Sequence, residues 1–97
     1  MIIVDKTLID NFTHKHIETT NALQAWVNVV ERVAWASHNE LKATFPSADY
    51  VGAKRYVFNI KGNRYRLVAV VIFSDGKLWL RFVGTHKEYD TIDCKTI

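Results

Sequence analysis

Five cationic side chains gather in one short stretch of the second half of the chain, with no acidic residue among them. They are Lys54, Arg55, Lys61, Arg64 and Arg66. Arg64 and Arg66 are two positions apart on a predicted strand, so both side chains should emerge on the same face, where each guanidinium can hold a phosphate through two parallel hydrogen bonds. The stretch therefore predicts a positively charged surface that binds a polyanion. Solvated charges on a sheet edge, or a docking site for an acidic partner, are the alternatives.

A second group of polar side chains follows this basic stretch and could move protons. His86 is the only histidine in the basic half, two residues after Gly84. An imidazole exchanges protons near neutral pH, which suits proton transfer in RNA cleavage. Tyr89 and Asp90 would join His86 if the segment makes a helical turn, and Tyr89 could then stack on a base or bond a phosphate. A surface histidine, a packing tyrosine and a helix-end aspartate are the alternatives.

The charge of the chain is unevenly distributed, and this favours a nucleic-acid partner. Residues 1–49 carry four Lys or Arg against six Asp or Glu, whereas residues 50–97 carry nine against four. The net charge of +3 is thus the sum of an acidic first half and a basic second half. Cations gathered on one face release the counterions condensed on nucleic acid and so gain salt-dependent affinity.

The sequence gives no support to several other classes of protein. Cys94 is the only cysteine, so no intrachain disulfide can form, which favours a reducing, cytoplasmic setting. No apolar run approaches the roughly 18 residues that span a bilayer, so we expect a soluble protein without a membrane partner. His14 and His16 lack the spacing of a metal pair, and no nucleotide-binding motif is present. We expect neither a metal nor another cofactor.

The first half of the chain has the apolar period of helices. Leu8, Ile9 and Phe12 have helical spacing, and a longer helix is predicted after the cap cluster Thr19-Thr20-Asn21. The apolar face of that helix comprises Ala22, Trp26, Val29, Val30 and Val33. Ser37 and Glu40 have the spacing of a capping box, so a third short helix is expected before Pro46.

From Lys54 the pattern changes to strand-like alternation, with Arg55 and Asn59 on the more polar face. A turn at Lys61-Gly62-Asn63 and a second turn at Ser74-Asp75-Gly76 predict a three-stranded antiparallel meander. Residues 47–53 are interpreted as a connection only. Together with a short N-terminal strand, Ile2 to Val4, the pattern predicts one α+β domain over residues 1–97, its small antiparallel sheet packed against two or three helices.

Three blocks of this chain closely resemble the HigB-type toxins of the RelE/ParE superfamily. They are Phe45 to Asp49, Arg55 to Leu67, which contains N-I-K-G-N-R-Y-R-L, and Arg81 to Asp90, which reads R-F-V-G-T-H-K-E-Y-D. The resemblance implies a RelE-like fold and ribosome-dependent cleavage of translated messenger RNA, which stops protein synthesis. It also implies a HigA-type antitoxin with a helix-turn-helix domain, through which operator DNA becomes an indirect partner.

The resemblance also implies roles for single residues in a metal-independent cleavage, in which the RNA 2′-hydroxyl attacks the adjacent phosphorus. Arg66 would stabilise the charged phosphorane, and His86 would protonate the leaving oxygen. Asn59 stands where RelE-type enzymes have a lysine proposed as the base. The general base is left open among Lys61, Tyr89, Asp90 and the RNA of the ribosome. The remaining predicted RNA contacts are Lys54, Arg55, Asn59, Arg64 and Arg81.

Two alternative functions of different classes also fit the sequence. One is a toxin of the same fold that inhibits a partner such as DNA gyrase without cutting RNA. The other is a plain basic module that binds RNA or the ribosome. Neither of these requires His86 or Tyr89, so the two side chains distinguish catalysis from binding.

Overall fold

The chain places its helices first and most of its strands second, as the change of apolar period predicts. A computed structural model describes residues 1–97 in full. In chain order the elements are β1 (Ile2–Val4), α1 (Thr7–Lys15), α2 (Thr20–Arg32), α3 (His38–Thr44), β2 (Asp49–Gly52), β3 (Arg55–Ile60), β4 (Tyr65–Ile72), β5 (Lys77–Thr85) and α4 (His86–Tyr89). Helices α1 to α3 share one core with the sheet, so the predicted α+β class is confirmed.

Helix α2 supplies much of the core because its apolar residues recur every three or four positions. The buried side chains of this helix are Leu23, Trp26, Val27 and Val30. The predicted cap cluster marks the start of the helix, but its hydroxyls do not cap it. Those of Thr19 and Thr20 donate to carbonyls of the preceding 3-10 turn, because the chain enters α2 from a helical conformation rather than an extended one. Helix α3 has its predicted cap at Ser37, which accepts a hydrogen bond from the Glu40 amide.

The sheet has five strands in the order β1-β5-β4-β3-β2. The predicted antiparallel meander is confirmed as β3, β4 and β5. Two expectations about the sheet were wrong. The N-terminal strand β1 pairs with β5 in the parallel direction, and residues 47–53 are more than a connection because Asp49–Gly52 forms the edge strand β2. A four-residue edge strand with two exposed positions shows too little alternation to be recognised by period.

The two faces of the sheet are packed against different parts of the chain. The helical face carries Tyr56, Phe58 and Ile60 of β3, which belong to the core shared with the helices. The opposite face, called the open face below, carries Arg55, Val57, Asn59, Arg66, Val68 and Gly84. Part of the open face lies under the C-terminal segment, residues 86–97, whose Ile97 carbonyl accepts hydrogen bonds from Arg55. This cover explains why Val57 and Val68 are buried although neither belongs to the helical core.

No helix of the fold combines the length and the apolarity needed to cross a membrane.

One hydrogen bond ties the start of β4 to the turn before α2, and it predicts a pH-dependent stability. The Tyr65 hydroxyl donates to a carboxylate oxygen of Glu18 at 2.5 Å, and this bond lowers the pKa of Glu18. A lowered pKa in the folded state contributes stability above the unfolded pKa, and that contribution is lost as the pH falls through the folded pKa. We expect Tyr65→Phe to lower the melting temperature at pH 7, and the difference from wild type to shrink below about pH 4.3, the ordinary Glu value.

Thermal melts followed by circular dichroism between pH 3 and pH 7 would measure this difference. Tyr50→Phe is the matched control, because the Tyr50 side chain is 53% exposed and its hydroxyl has no partner within the chain. A melting difference for Tyr65→Phe that stayed constant over the whole pH range would contradict the assignment.

Candidate functional site

The alternation of β4 places Arg66 on the open face. Its neighbours Tyr65 and Leu67 are buried against the helices, so the side chain between them must emerge on the other side. Arg66 is paired with Asn59 on β3 and with Gly84 on β5. It therefore lies in the middle of the sheet, flanked by an amide side chain and by a residue without one.

The short helix α4 returns the chain over Arg66. Thr85 caps this helix in a complete capping box with Glu88, so the turn begins at a fixed point directly after β5. Tyr89 at the end of the turn then covers Arg66, with the guanidinium carbon 5.7 Å from the centre of the phenol ring. This is a cation–π contact, which orients the guanidinium without neutralising its charge.

The guanidinium of Arg66 has no anionic partner within the chain. It forms no salt bridge, and its buried Nε makes no hydrogen bond. A buried donor without a partner costs free energy, and most native structures avoid such a group unless a ligand or water pairs with it. Arg66 is thus a fixed positive charge on a half-covered surface, able to receive an oxyanion.

His86 follows Gly84, the cross-strand partner of Arg66, by two residues and begins α4 directly after β5. The His86 amide donates to the Arg64 carbonyl at 3.0 Å, which anchors the start of α4 to the β3–β4 turn. The side chain is 43% exposed, and its Nδ1 is 3.3 Å from a carboxylate oxygen of Asp90. A carboxylate at Nδ1 leaves Nε2 free to exchange a proton with a ligand.

Tyr89 keeps its proton at neutral pH. Burial, together with the neighbouring Cys94, raises the pKa of Tyr89 to about 12, and the charge of Arg66 opposes this only in part. The Cys94 Sγ to Tyr89 Oη distance is 3.2 Å. A neutral phenol can stack on a base or donate a hydrogen bond, but it already holds its proton at neutral pH and so cannot accept one from RNA.

The structure places Tyr89 over Arg66, with Asn59 as the cross-strand neighbour of Arg66. The turn that carries Tyr89 also carries the His86–Asp90 pair, as the spacing of these residues predicts. The structure does not bring Lys61 to these residues. Lys61 lies in the β3–β4 turn and donates to the Glu18 carbonyl at 3.2 Å, on the side of the sheet where the helices pack.

The other predicted RNA contacts surround the cluster or lie apart from it. Arg55 is on the open face but is occupied, donating to the carbonyls of Ile97 and Ala53. Arg64 was wrongly assigned to a strand; β4 begins at Tyr65, and Arg64 is an exposed residue of the turn. Arg81 is exposed where the β4–β5 register shifts, and Lys54 lies in the β2–β3 turn.

Two contributors to the site could not be recognised from the sequence. Cys94, considered in the sequence only for disulfide formation, donates a hydrogen bond to Tyr89. Asp49, on the strand that the pattern missed, is close enough for its charge to raise the pKa of Tyr89. Asp49 pairs with Val57 and so belongs to the open face. The pair Tyr50-Val51 next to Asp49 was the only sequence signal, since both residue types favour strands.

Gly84 makes the close approach of β5 and α4 possible. A Cβ at this position would lie 3.0 Å from Phe82 Cε2 and 3.1 Å from the Glu88 carboxylate of the capping box. The Phe82 ring is itself 6.5 Å from the Tyr89 ring, centre to centre. A side chain at residue 84 would therefore displace the ring that supports Tyr89.

We expect Gly84→Ala to lower the free energy of unfolding by about 1 kcal/mol, the low end for overpacking, because the clash is with the mobile end of a side chain. The ring of Tyr89 should move with Phe82. Urea unfolding of Gly84→Ala, Phe82→Leu and the double variant would measure the coupling. Adding Phe82→Leu should recover part of the loss; strictly additive effects would refute the packing explanation.

Comparison with known proteins agrees with this geometry. A family model described as HigB toxin, the RelE-like toxic component of a toxin–antitoxin system, matches residues 19–92. The mRNA interferase toxin HigB of Escherichia coli strain K12 is 37% identical over 93 residues, which cover 93% of this chain and 88% of the relative. The mRNA interferase HigB of Shigella flexneri is also 37% identical over 93 residues. The mRNA interferase HigB of Escherichia coli O6:H1, strain CFT073, is 23% identical over 94 residues, covering 95% and 91% of the two chains.

The match contains the whole cluster, from Asn59 and Arg66 on the sheet to His86, Tyr89 and Asp90 on the turn that follows it. It confirms the resemblance and the RelE-like fold that the sequence blocks imply. This chain belongs to the HigB toxin family, the RelE-like toxic components of toxin–antitoxin systems.

Proposed function

We propose that this chain is an endoribonuclease that cleaves messenger RNA during translation and so stops protein synthesis. The observation that carries the proposal is the Arg66 guanidinium, which has no anionic partner and lies under Tyr89, on the same turn as the His86–Asp90 pair. A positive charge without a partner is suited to an incoming phosphate. The names of the relatives, mRNA interferases, support the same activity.

Cleavage begins when the RNA 2′-hydroxyl attacks the adjacent phosphorus, which forms a phosphorane with extra negative charge on its oxygens. Arg66 lies where it can stabilise this charge in the transition state. The bond from phosphorus to the 5′-oxygen of the next nucleotide then breaks, and His86 donates a proton from Nε2 to that oxygen. The products are a 2′,3′-cyclic phosphate and a 5′-hydroxyl. Asp90 stabilises the protonated imidazole from the Nδ1 side.

No side chain at this site is a strong base that is free to accept the proton of the 2′-hydroxyl. Tyr89 holds its proton, with a pKa of about 12, and Lys61 is engaged with Glu18 on the helical side. Asp90 is paired with His86. We infer that the ribosome arranges the 2′-hydroxyl for attack and that solvent water accepts the hydroxyl proton. We therefore propose that cleavage depends on the ribosome and requires no metal ion held by the protein.

Partners follow from membership of a toxin–antitoxin family, whose toxic component requires a neutralising protein. We propose that this protein is a HigA-type antitoxin with a helix-turn-helix domain, that operator DNA is reached only through it, and that the toxin acts in the cytoplasm, where messages are translated. The exposed cations Lys54, Arg64 and Arg81 are proposed contacts to RNA of the message or ribosome, and Arg55 positions the C-terminal segment.

A test of the proposal separates cleavage on the ribosome from cleavage of free RNA. Purified protein is added to a reconstituted translation reaction and, separately, to the same message without ribosomes. We expect new 5′-hydroxyl ends, which polynucleotide kinase labels without prior phosphatase, only in the translating sample. Arrest of translation without new RNA ends would favour a non-nucleolytic toxin, and cutting of free RNA at equal rate would refute the ribosome dependence.

A further inference from the structure

A pocket lies on the helical face of the sheet, opposite the face that carries the candidate site. It has a volume of about 520 Å³ and is lined by His38, Tyr50, Lys54, Tyr56, Val71 and Phe73, among others. Val71 follows Arg66 by five residues on β4, which separates them by about 17 Å along the strand. Val71 also faces the helices whereas Arg66 faces away from them, so the two sites do not share a surface.

Aromatic rings form the walls of this pocket. The Tyr50 and Tyr56 rings are 5.1 Å apart, and the His38 ring is 6.1 Å from Tyr50 at an interplanar angle of 75°. Tyr56 is almost fully buried, whereas Tyr50 is 53% exposed and His38 is also exposed. Exposed flat rings set at an angle form a corner into which a second planar group can stack.

The polar groups of the pocket favour an anionic ligand. His38 Nδ1 and the Tyr56 hydroxyl are hydrogen-bonded at 2.7 Å, which fixes the imidazole. His38 Nε2, the Tyr50 hydroxyl and the Lys54 ammonium have no partner within the chain, and no acidic residue lines the pocket. The site thus offers one unpaired positive charge and two free hydrogen-bonding groups around an aromatic surface.

We propose that this pocket binds one unpaired nucleotide of RNA, with its base stacked in the Tyr50–His38 corner and its phosphate on Lys54. Single-stranded RNA is recognised through unstacked bases on aromatic side chains, with cations on the phosphates. The volume is within the roughly 300–1,000 Å³ of ordinary ligand sites. This second contact would anchor the toxin to RNA independently of cleavage, and it goes beyond the proposed function.

Titration with adenosine 5′-monophosphate, followed by NMR of the labelled full-length chain, tests the proposal. The Arg66→Ala variant serves as the background, so that the candidate cleavage site does not contribute. We expect shifts at Tyr50, His38 and Lys54, and an affinity about tenfold weaker when Tyr50→Ala is added, the usual effect of removing a stacking ring. Tyr50→Phe keeps the ring and should retain the affinity within about twofold.

The phosphate is tested separately from the base. Lys54→Gln should weaken binding of the monophosphate but leave binding of adenosine unchanged, because adenosine lacks the phosphate. Both substitutions alter exposed side chains, and circular dichroism checks that each variant is folded.

Three results would overturn the proposal. They are the absence of shifts at the pocket, equal binding by Tyr50→Ala and Tyr50→Phe, and shifts produced by a tetraglutamate peptide but not by the nucleotide. The last would make the pocket a protein-docking site. Because the titration contains no cleavage step, its outcome is independent of whether the chain cuts RNA.

Discussion

Arg66→Ala is expected to reduce the rate of message cleavage by about 100- to 1,000-fold, the usual cost of removing one donor that stabilises an anionic transition state. Arg66 is the guanidinium that the fold holds against the Tyr89 ring, and it has no anionic partner. Single-turnover cleavage of a message on purified ribosomes measures the rate. Binding to the ribosome, measured by co-sedimentation, should change far less than the rate, because several other cations remain exposed.

Two further variants make the Arg66 result specific. Arg66→Lys keeps the charge but loses the planar guanidinium, and should recover only part of the rate. Arg32→Ala removes an exposed arginine from α2, where its side chain contacts only a carbonyl of its own helix, and should be indistinguishable from wild type. An equal loss of rate in Arg32→Ala and Arg66→Ala would show that total charge, rather than this site, determines activity.

His86→Ala is expected to reduce cleavage by about 100- to 10,000-fold, the range for a general acid. His86 is held by its amide bond to the Arg64 carbonyl and by Asp90 at Nδ1, so its Nε2 is presented at one place. Asp90→Asn should cause a smaller loss, since the imidazole remains but loses its stabilising charge. His14→Ala, an exposed histidine of α1, is the matched control.

A modified substrate distinguishes a proton donor from a residue that only maintains structure. A message with sulfur in place of the 5′-bridging oxygen at the cleavage position has a leaving group that needs no protonation. His86→Ala should cleave this substrate nearly as fast as wild type, whereas Arg66→Ala should remain slow. A rate for His86→Ala that stayed low on the sulfur substrate would refute its role as the general acid.

The helices and strands whose apolar residues recur with a clear period were predictable from the sequence. Those without such a period were not. Helix α2 and the β3–β4 hairpin follow from apolar spacing, but the predicted face of α2 was right only at Trp26 and Val30. It omitted the buried Leu23 and Val27 and included Ala22, Val29 and Val33, which are only half-buried. Strand β2 could not be recognised because it has only four residues at the edge of the sheet, and none of them is buried. The parallel direction of β1 depends on pairing with β5, some 75 residues later in the chain, which local sequence does not encode.

The candidate site was predictable in its composition but not in its arrangement. His86, Tyr89 and Asp90 have the spacing of one helical turn, and that turn exists. Lys61 lies near Arg66 in sequence, yet its backbone has a positive φ of 54°, and the turn carries its side chain to Glu18. The contacts of Cys94 and Ile97 depend on the path of the C-terminal segment over the sheet, and that segment has no apolar period.

The most direct test of this account is to map the 5′ ends of a translated message in the presence of wild-type protein, Arg66→Ala and Arg32→Ala. Wild type and Arg32→Ala should give identical ribosome-dependent ends, and Arg66→Ala almost none, while all three proteins sediment with ribosomes. Ends of equal abundance with Arg66→Ala would contradict this account and place the chemistry elsewhere on the chain.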